Sequence, residues 1–282
     1  MTISESSWVA YIDKLRAVSD EAADKFAAYY KRIRDPLSEA GRKALIHYAY
    51  VLSNKYGEAA AELACEMYDA MGVASGVQMG KPPGWIEPAV PAPTATYGET
   101  AKTVNGVLKV SQNEEIISGA VSRLVKMVGV DTVMNNALRD GAQWAWIPHG
   151  DTCAYCIALA SQGWQNASAK ALKNGHAEHI HGNCDCTYGV RFDENTEVEG
   201  YNDGVKYKKI YADAPVNEWN TKDGKPPKGH KDTGGKVTSK DRINAMRREF
   251  YKENSEEINE QKRSAYAKRE ERESSSAEEL NT

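Results

Sequence analysis

The chain has 282 residues, with 36 lysines and arginines against 40 aspartates and glutamates, and a formal net charge of -4. Hydrophobic residues make up 41% and the mean hydropathy is -0.63, so we expect one large or two modest domains and a substantial part outside any core. The net charge does not favour binding of nucleic acid over the whole surface. No apolar run is long enough for a membrane span, and a secretory signal is not recognisable. We therefore expect a soluble protein kept in a cytoplasm.

Apolar residues at helical spacing predict a mainly α-helical fold that begins with two long helices. The first covers residues 8–33 and is ended by Asp35-Pro36. The second begins at Ser38 and ends near Gly72. Two such helices are expected to pack as a helical hairpin or bundle over residues 1–79.

A proline-rich stretch follows the hairpin. Five of the ten prolines fall within residues 82–93, which predicts an extended arm over residues 80–97. Trp85 and Ile86 are unusual in a plain spacer. We expect them either to pack back on the body of the protein or to dock on a neighbouring subunit.

The region 98–198 is expected to combine helices with a small α+β region rich in cysteine and histidine. Helical spacing covers residues 116–128 and, as a separate short helix, residues 133–138, which Asp140-Gly141 ends. Residues 143–147 alternate polar and apolar side chains in part. They predict a short strand that leads into the cysteines.

The last part of the chain is polar. Residues 199–239 are rich in Gly, Lys, Asp and Pro and predict a flexible linker. In the charged tail, residues 240–282, Ile243-Asn244 recurs as Ile258-Asn259, and this fifteen-residue repeat predicts an exposed helix. Glutamates almost match its basic residues, which favours intrahelical ion pairs, with nucleic-acid contact as the alternative.

Four of the five cysteines lie within residues 153–186, and Cys65 lies alone in a helical pattern where a buried thiol is expected. Clustered cysteines in a reducing compartment are typical metal ligands. Cys153 and Cys156 form a Cys-x-x-Cys knuckle, and a His/Cys cluster about 25 residues later can close a tetrahedron. Thiolate and imidazole ligands favour zinc, so we predict a structural Zn²⁺ site.

More candidate ligands exist than a closed zinc site needs. The predicted ligands are Cys153, Cys156, His181 and Cys186, with Cys184 as the rival for the fourth place. The histidines that we expect to face solvent or lie in a loop are His149, His176 and His179. A redox pair at Cys153 and Cys156, or two structural disulfides, are the alternatives to zinc.

This cysteine motif resembles that of the phage head morphogenesis family, the minor capsid proteins similar to protein F of phage Mu and to minor head proteins of phages of Gram-positive bacteria. The matching residues are Asp151, Thr152, Cys153, Cys156, His181, Cys184 and Cys186. Gly182 and Asp185 depart from the usual Pro and Arg, which could loosen the turn without removing a ligand. The resemblance covers roughly residues 110 to 195.

The resemblance implies a minor capsid protein of the virion and not an enzyme. Such a protein is present in few copies, is associated with the portal or the major capsid protein in the interior of the phage head, and aids assembly, packaging or DNA delivery. It would occupy the host cytoplasm during assembly. Its zinc would be structural, and its tail is the segment that could contact packaged DNA.

Zinc enzymes acting on nucleic acids are the competing class. An HNH-type nuclease combines cysteine knuckles with His and Asn, as in His181-Gly-Asn183. A zinc deaminase needs His-x-Glu before its cysteine pair, whereas His176-Ala-Glu178 follows the pair here. A zinc-finger regulator is disfavoured because the chain is acidic and a basic recognition helix is not recognisable.

Overall fold

The computed structural model describes residues 2–77, 86–149, 152–168, 186–201, 204–216 and 237–253. Its helices are α1 (Glu5–Tyr30), α2 (Glu39–Ala74), α3 (Tyr97–Leu108), α4 (Glu114–Asp140), α5 (Ala154–Ala160), α6 (Val205–Ala212) and α7 (Ser239–Glu253). Its strands are β1 (Thr2–Ile3), β2 (Gln143–Ile147), β3 (Gln165–Asn166), β4 (Thr187–Arg191) and β5 (Glu197–Val198). The described chain is mainly helical, which confirms that part of the predicted fold class.

The three long helices, α1, α2 and α4, pack on one another and form most of the core. Their apolar residues recur every three or four positions, so each helix buries one stripe. Gly129 of α4 lies where the three helices meet: a Cβ there would come within 3.1 Å of the Tyr11 hydroxyl and 3.5 Å of the Ala60 carbonyl oxygen. A Cβ at position 129 would require the Tyr11 side chain to shift by a few tenths of an ångström.

Local signals set several helix ends. The Ser38 hydroxyl accepts a hydrogen bond from Gly41 N at 3.1 Å and caps α2, as its position in the sequence predicts. Gly141 adopts a positive φ of 66° and ends α4. The capping box of α3, formed by Thr96 and Glu99, is a start signal that the sequence analysis missed.

One helix prediction was wrong. The sequence indicated two helices at 116–128 and 133–138, whereas α4 runs without a break over Glu114–Asp140. Gly129 weakens the local helical preference by about 1 kcal/mol. Packing against α1 and α2 at this glycine outweighs that cost, and only the tertiary structure shows it.

Residues 86–96, which we call the strap, are extended and lie along α2 and α4. Pro88, Pro91 and Pro93 have no N–H group, so they need no acceptor. The N–H groups of the residues between them bond to helix side chains. These bonds are Ala89 N to Asp69 Oδ1, Val90 N to Asn136 Oδ1 and Ala92 N to Thr132 Oγ1, each 2.9 Å long.

The strap's carbonyl oxygens are also bonded to α4. Asn136 Nδ2 donates to Val90 O at 2.9 Å, and Arg139 donates to Glu87 O at 2.7 Å and to Pro88 O at 3.1 Å. Ile86 is buried against Gly72 of α2, so for this residue packing on the body is the correct interpretation. Trp85 lies outside the described residues.

A small antiparallel sheet, ordered β3-β2-β4, follows α4. In the β2–β4 register Trp146 lies opposite Tyr188, and the two rings meet edge to face with centroids 4.6 Å apart. Gly189 lies opposite Ala145, and a side chain at Gly189 would collide with Ile147. The short strand predicted at 143–147 is thus the central strand of this sheet. A second, parallel pair joins β1 to β5.

The chain divides into two compact units, Met1–Lys208 and Lys209–Thr282, with the division inside α6. The predicted hairpin, 1–79, and the predicted region 98–198 both contribute to the core of the first unit. In the second unit, Arg242 of α7 donates to the last carbonyls of α6, Tyr211 O at 3.0 Å and Ala212 O at 2.6 Å. It therefore acts as a C-terminal cap.

Part of the region predicted as a flexible linker, 199–239, is helical, because α6 covers Val205–Ala212. Its apolar residues are too few to stand out from the surrounding Gly and Lys. In the charged tail α7 is helical, and residues 254–282, with the second copy of the repeat, lie outside the described residues. None of the described helices is both long and apolar enough to cross a membrane.

Replacing Asn136 with Ala should destabilise the protein by about 1 to 3 kcal/mol, because the N–H and C=O groups of Val90 in the strap would both lose their part-buried hydrogen bonds to this side chain. Urea denaturation of the full chain measures the loss. Asn135→Ala is the matched control, since Asn135 is the preceding residue of the same helix and is exposed. Equal effects of the two substitutions would contradict the role given to the strap.

Candidate metal centre

Cys153 and Cys156 occupy the start of α5. Cys153 is the N-cap residue and Cys156 lies one turn further on, so both thiols fall on one side of the helix. Their sulfur atoms are 3.5 Å apart. A disulfide needs about 2.05 Å, whereas two thiolates on one tetrahedral zinc ion are roughly 3.8 Å apart. The pair is therefore arranged much as a zinc knuckle would be.

The two thiols differ in exposure. Cys153 is exposed, whereas Cys156 is fully buried. This difference follows from the helix, because Cys156 belongs to the face of α5 that packs with Ala160 into the core. An incoming reagent meets Cys153 first.

Strand pairing brings Cys186 to the same end of the sheet. Thr187 lies opposite Ile147, so Cys186 comes just before β4 at the end of β2 from which the chain runs on to Cys153. Cys186 is buried, with 6% of its surface exposed. The sequence predicted all three cysteines as ligands, and all three are described, yet the structure does not bring them together in one group of metal-binding side chains.

The remaining predicted ligands, His181 and Cys184, lie outside the described residues, as do His176 and His179. Among the residues that the structure describes, a group of three or more Cys, His, Asp or Glu side chains able to hold a metal is not found. Zinc binding by Cys153, Cys156, His181 and either Cys184 or Cys186 stays a prediction. His149 follows β2 in a loop, where its ring meets the edge of Trp8 at 6.0 Å.

Two tyrosines near the pair have raised pKa values. Burial raises the pKa of Tyr155, and the neighbouring Cys156 and Cys153 raise it further. Burial also raises the pKa of Tyr188, whose hydroxyl has no hydrogen-bond partner in the described part of the chain. A buried thiolate is costly in such surroundings unless a cation balances its charge. A bound Zn²⁺ would supply that charge.

A half-buried carboxyl group lies near Tyr188. Burial raises the pKa of Asp131 on α4 to about 6, and the charge of Glu99 on α3 adds to the effect. Asp131 also contributes to the raised pKa of Tyr188. This residue does not stand out in the sequence, because an aspartate in an amphipathic helix is typical of the solvent-exposed face.

Cys153→Ser should lower the zinc content from about one ion per chain to nearly none and destabilise the protein by on the order of 4 kcal/mol or more, since a structural site would lose a ligand. Metal content by mass spectrometry and thermal unfolding with and without a chelator measure both effects. Cys65→Ser is the control, because Cys65 lies in α2, outside the cluster. A wild-type chain that holds no metal when it is purified under reducing conditions with its cysteines reduced would refute the zinc assignment.

Asp131→Asn should change how stability depends on pH. The folded-state pKa of about 6 exceeds the ordinary 3.8, so this group favours the folded state below pH 4, and the contribution is lost as pH rises through 6. The variant should equal the wild type near pH 4 and exceed it by up to about 3 kcal/mol at pH 8. Urea denaturation across this range tests it, with exposed Asp20→Asn as the control. If the stability of the wild type and that of Asp131→Asn changed in parallel with pH, the pKa of the Asp131 carboxyl would not be shifted.

Comparison with known proteins gives one family. The family described as VG15 protein matches residues 2–214, well over half of the chain. This stretch nearly coincides with the first compact unit, Met1–Lys208. Neither a curated protein nor a solved structure matches the chain. The family match agrees with the phage resemblance that the cysteine motif indicates, and the chain therefore belongs to the VG15 protein family, a family of phage proteins.

Proposed function

We propose that the chain is a minor capsid protein that acts in phage head morphogenesis as a structural component and not as an enzyme. The observation that carries this proposal is the match to a phage protein family over residues 2–214. Because the match covers the helical core, the strap and the cysteine region together, the proposed role belongs to the first unit as a whole.

The packing of the first unit suits a structural component. Its three long helices share one core with the sheet, and the strap is bonded to α2 and α4 along its length. The cysteine region, in contrast, is built from short elements, α5, β3 and β5. In our proposal a structural Zn²⁺ holds this region, where metal binding could contribute on the order of 10 kcal/mol.

We propose the portal or the major capsid protein as the partner, on the interior side of the head. Contact with packaged DNA falls to the tail in this proposal, and its first part is the better candidate. Residues 240–253 carry five basic and three acidic residues, whereas residues 254–282 carry five basic and eight acidic ones. Phosphate groups attract the first segment and repel the second.

Omitting the chain from the phage that encodes it tests the proposal. We expect heads that are missing or fail to fill with DNA, seen by electron microscopy, and we expect the chain in normal particles at a few copies by quantitative mass spectrometry. Complementation with Cys65→Ser should restore heads, because that residue lies outside the cysteine cluster. Complementation with Cys153→Ser should not.

Phage that lack the chain also distinguish the proposed structural role from the nuclease alternative. Normal heads without the chain, together with metal-dependent DNA cleavage by the purified chain, would contradict a structural role and favour an HNH-type enzyme. Cleavage of DNA should then be lost when His181 is replaced. The rate of cleavage would not depend on how much of the chain is present in particles.

A further inference from the structure

The cysteine pair has the geometry for a second chemistry besides metal binding. The sulfur atoms of Cys153 and Cys156 lie 3.5 Å apart, within the range from which a nucleophile attacks its target. The two residues are three positions apart at the start of a helix, so their Cα atoms are roughly 5 Å apart, inside the 4.4–6.8 Å window that a disulfide requires. A bond between them needs only side-chain rotation.

Exposure gives the two thiols different roles. Cys153 is exposed and open to a small disulfide, whereas Cys156 is fully buried and closed to any reagent larger than the neighbouring sulfur. Reactive cysteines in proteins combine access for the attacking thiol with a second thiol poised to resolve the product. Cys153 fits the first role and Cys156 the second.

The other described cysteines lack this combination. Cys65 is half-buried on α2, where burial raises the pKa of its thiol to about 11 and Asp69 adds to the effect. It is therefore a poor nucleophile near neutral pH. Cys186 is buried. Only the pair on α5 joins an accessible thiol to a neighbour within reach, among the cysteines that the structure describes.

We propose that Cys153 and Cys156 form a thiol–disulfide exchange site, at which a small-molecule disulfide converts the pair to an intramolecular disulfide. The Cys153 thiolate attacks the reagent, forms a mixed disulfide and displaces one thiolate. The Cys156 thiolate then attacks the Cys153 sulfur, closes the Cys153–Cys156 bond and releases the second thiolate. Two electrons pass from the pair to the reagent, which is reduced to two thiols.

This reaction would compete with metal binding. A zinc ion held by both sulfurs loses two ligands when the disulfide forms, so the oxidised pair cannot retain it. The biological setting rests on the proposed function. A chain assembled in a reducing cytoplasm and then carried outside the cell in a particle passes from conditions that favour the thiols to conditions that favour the disulfide.

The test uses the purified full chain, treated with oxidised glutathione before and after chelation of metal. We expect the loss of two thiols per chain and a Cys153–Cys156 cross-link in peptide mass spectra, with Cys65 still reduced. In zinc-loaded protein the reaction should be slower, and release of zinc to a chromogenic chelator should follow cross-link formation one for one. Brief alkylation of the reduced chain should label Cys153 before Cys156.

Two variants assign the roles. Cys156→Ser should accumulate a glutathione adduct on Cys153, because the resolving thiol is absent, and Cys153→Ser should leave Cys156 reduced. Cys65→Ser is the matched control and should react as the wild type does. Circular dichroism identifies a variant that fails to fold, and in that case the order of labelling in the wild type decides.

Several outcomes would overturn the proposal: equal labelling of both thiols, a cross-link from Cys153 to Cys184 or Cys186, or a glutathione adduct on Cys153 in the wild type that never resolves. These results concern the purified chain alone. A chain missing from phage heads would refute the proposed function and leave the exchange site standing, and a chain present in heads with an inert pair would do the reverse.

Discussion

The strap imposes the constraint on which the rest of the first unit depends. A chain segment lying against a core must have its backbone polar groups bonded, and in this segment helix side chains provide several of those bonds. Prolines remove three of its N–H groups, and side chains of α2 and α4 accept from Ala89, Val90 and Ala92. Because these acceptors come from two helices, the strap links α2 to α4 in addition to their direct packing. The strand β2 follows α4 directly.

The sequence predicted those parts of the fold that local chemistry decides. The start of α2 at Ser38, the end of α4 at Gly141 and the strand at 143–147 all follow from residues within a few positions. What it could not show are roles set by distant partners. Asn136 reads as a surface residue of an amphipathic helix, yet only 2% of it is exposed, because its amide pairs with the strap 46 positions away. The continuity of α4 through Gly129 also depends on distant partners, the packed helices α1 and α2.

In the candidate site, too, some features are set by local sequence and others by distant partners. The spacing of Cys153 and Cys156 on one helix turn is local, so the sequence predicts both the pair and its convergence. The position of Cys186 depends on which residue of β2 faces Thr187, and hydrophobic pattern alone does not specify such a register between distant strands. The exposure of one thiol and the burial of the other depend on how α5 packs. The sequence raises a redox pair at these residues only as an alternative to zinc, whereas the roles proposed for the two thiols in the exchange reaction depend on their exposure in the structure.

Because Cys156 is buried, the charge of the cysteine pair affects the stability of the structure around it. A neutral thiol can remain in an apolar place at little cost, a thiolate there needs a cation, and a disulfide needs neither. Under the two proposals the pair would have three forms, and they would differ in what holds the region from α5 to β4. The Zn²⁺ form could tie the pair to residues between the two elements, whereas the disulfide bonds α5 only to itself. A protein with the proposed role would therefore hold its cysteine region most firmly during assembly and loosen it afterwards, while the helical core, which contains its own packing and the strap, stays unchanged.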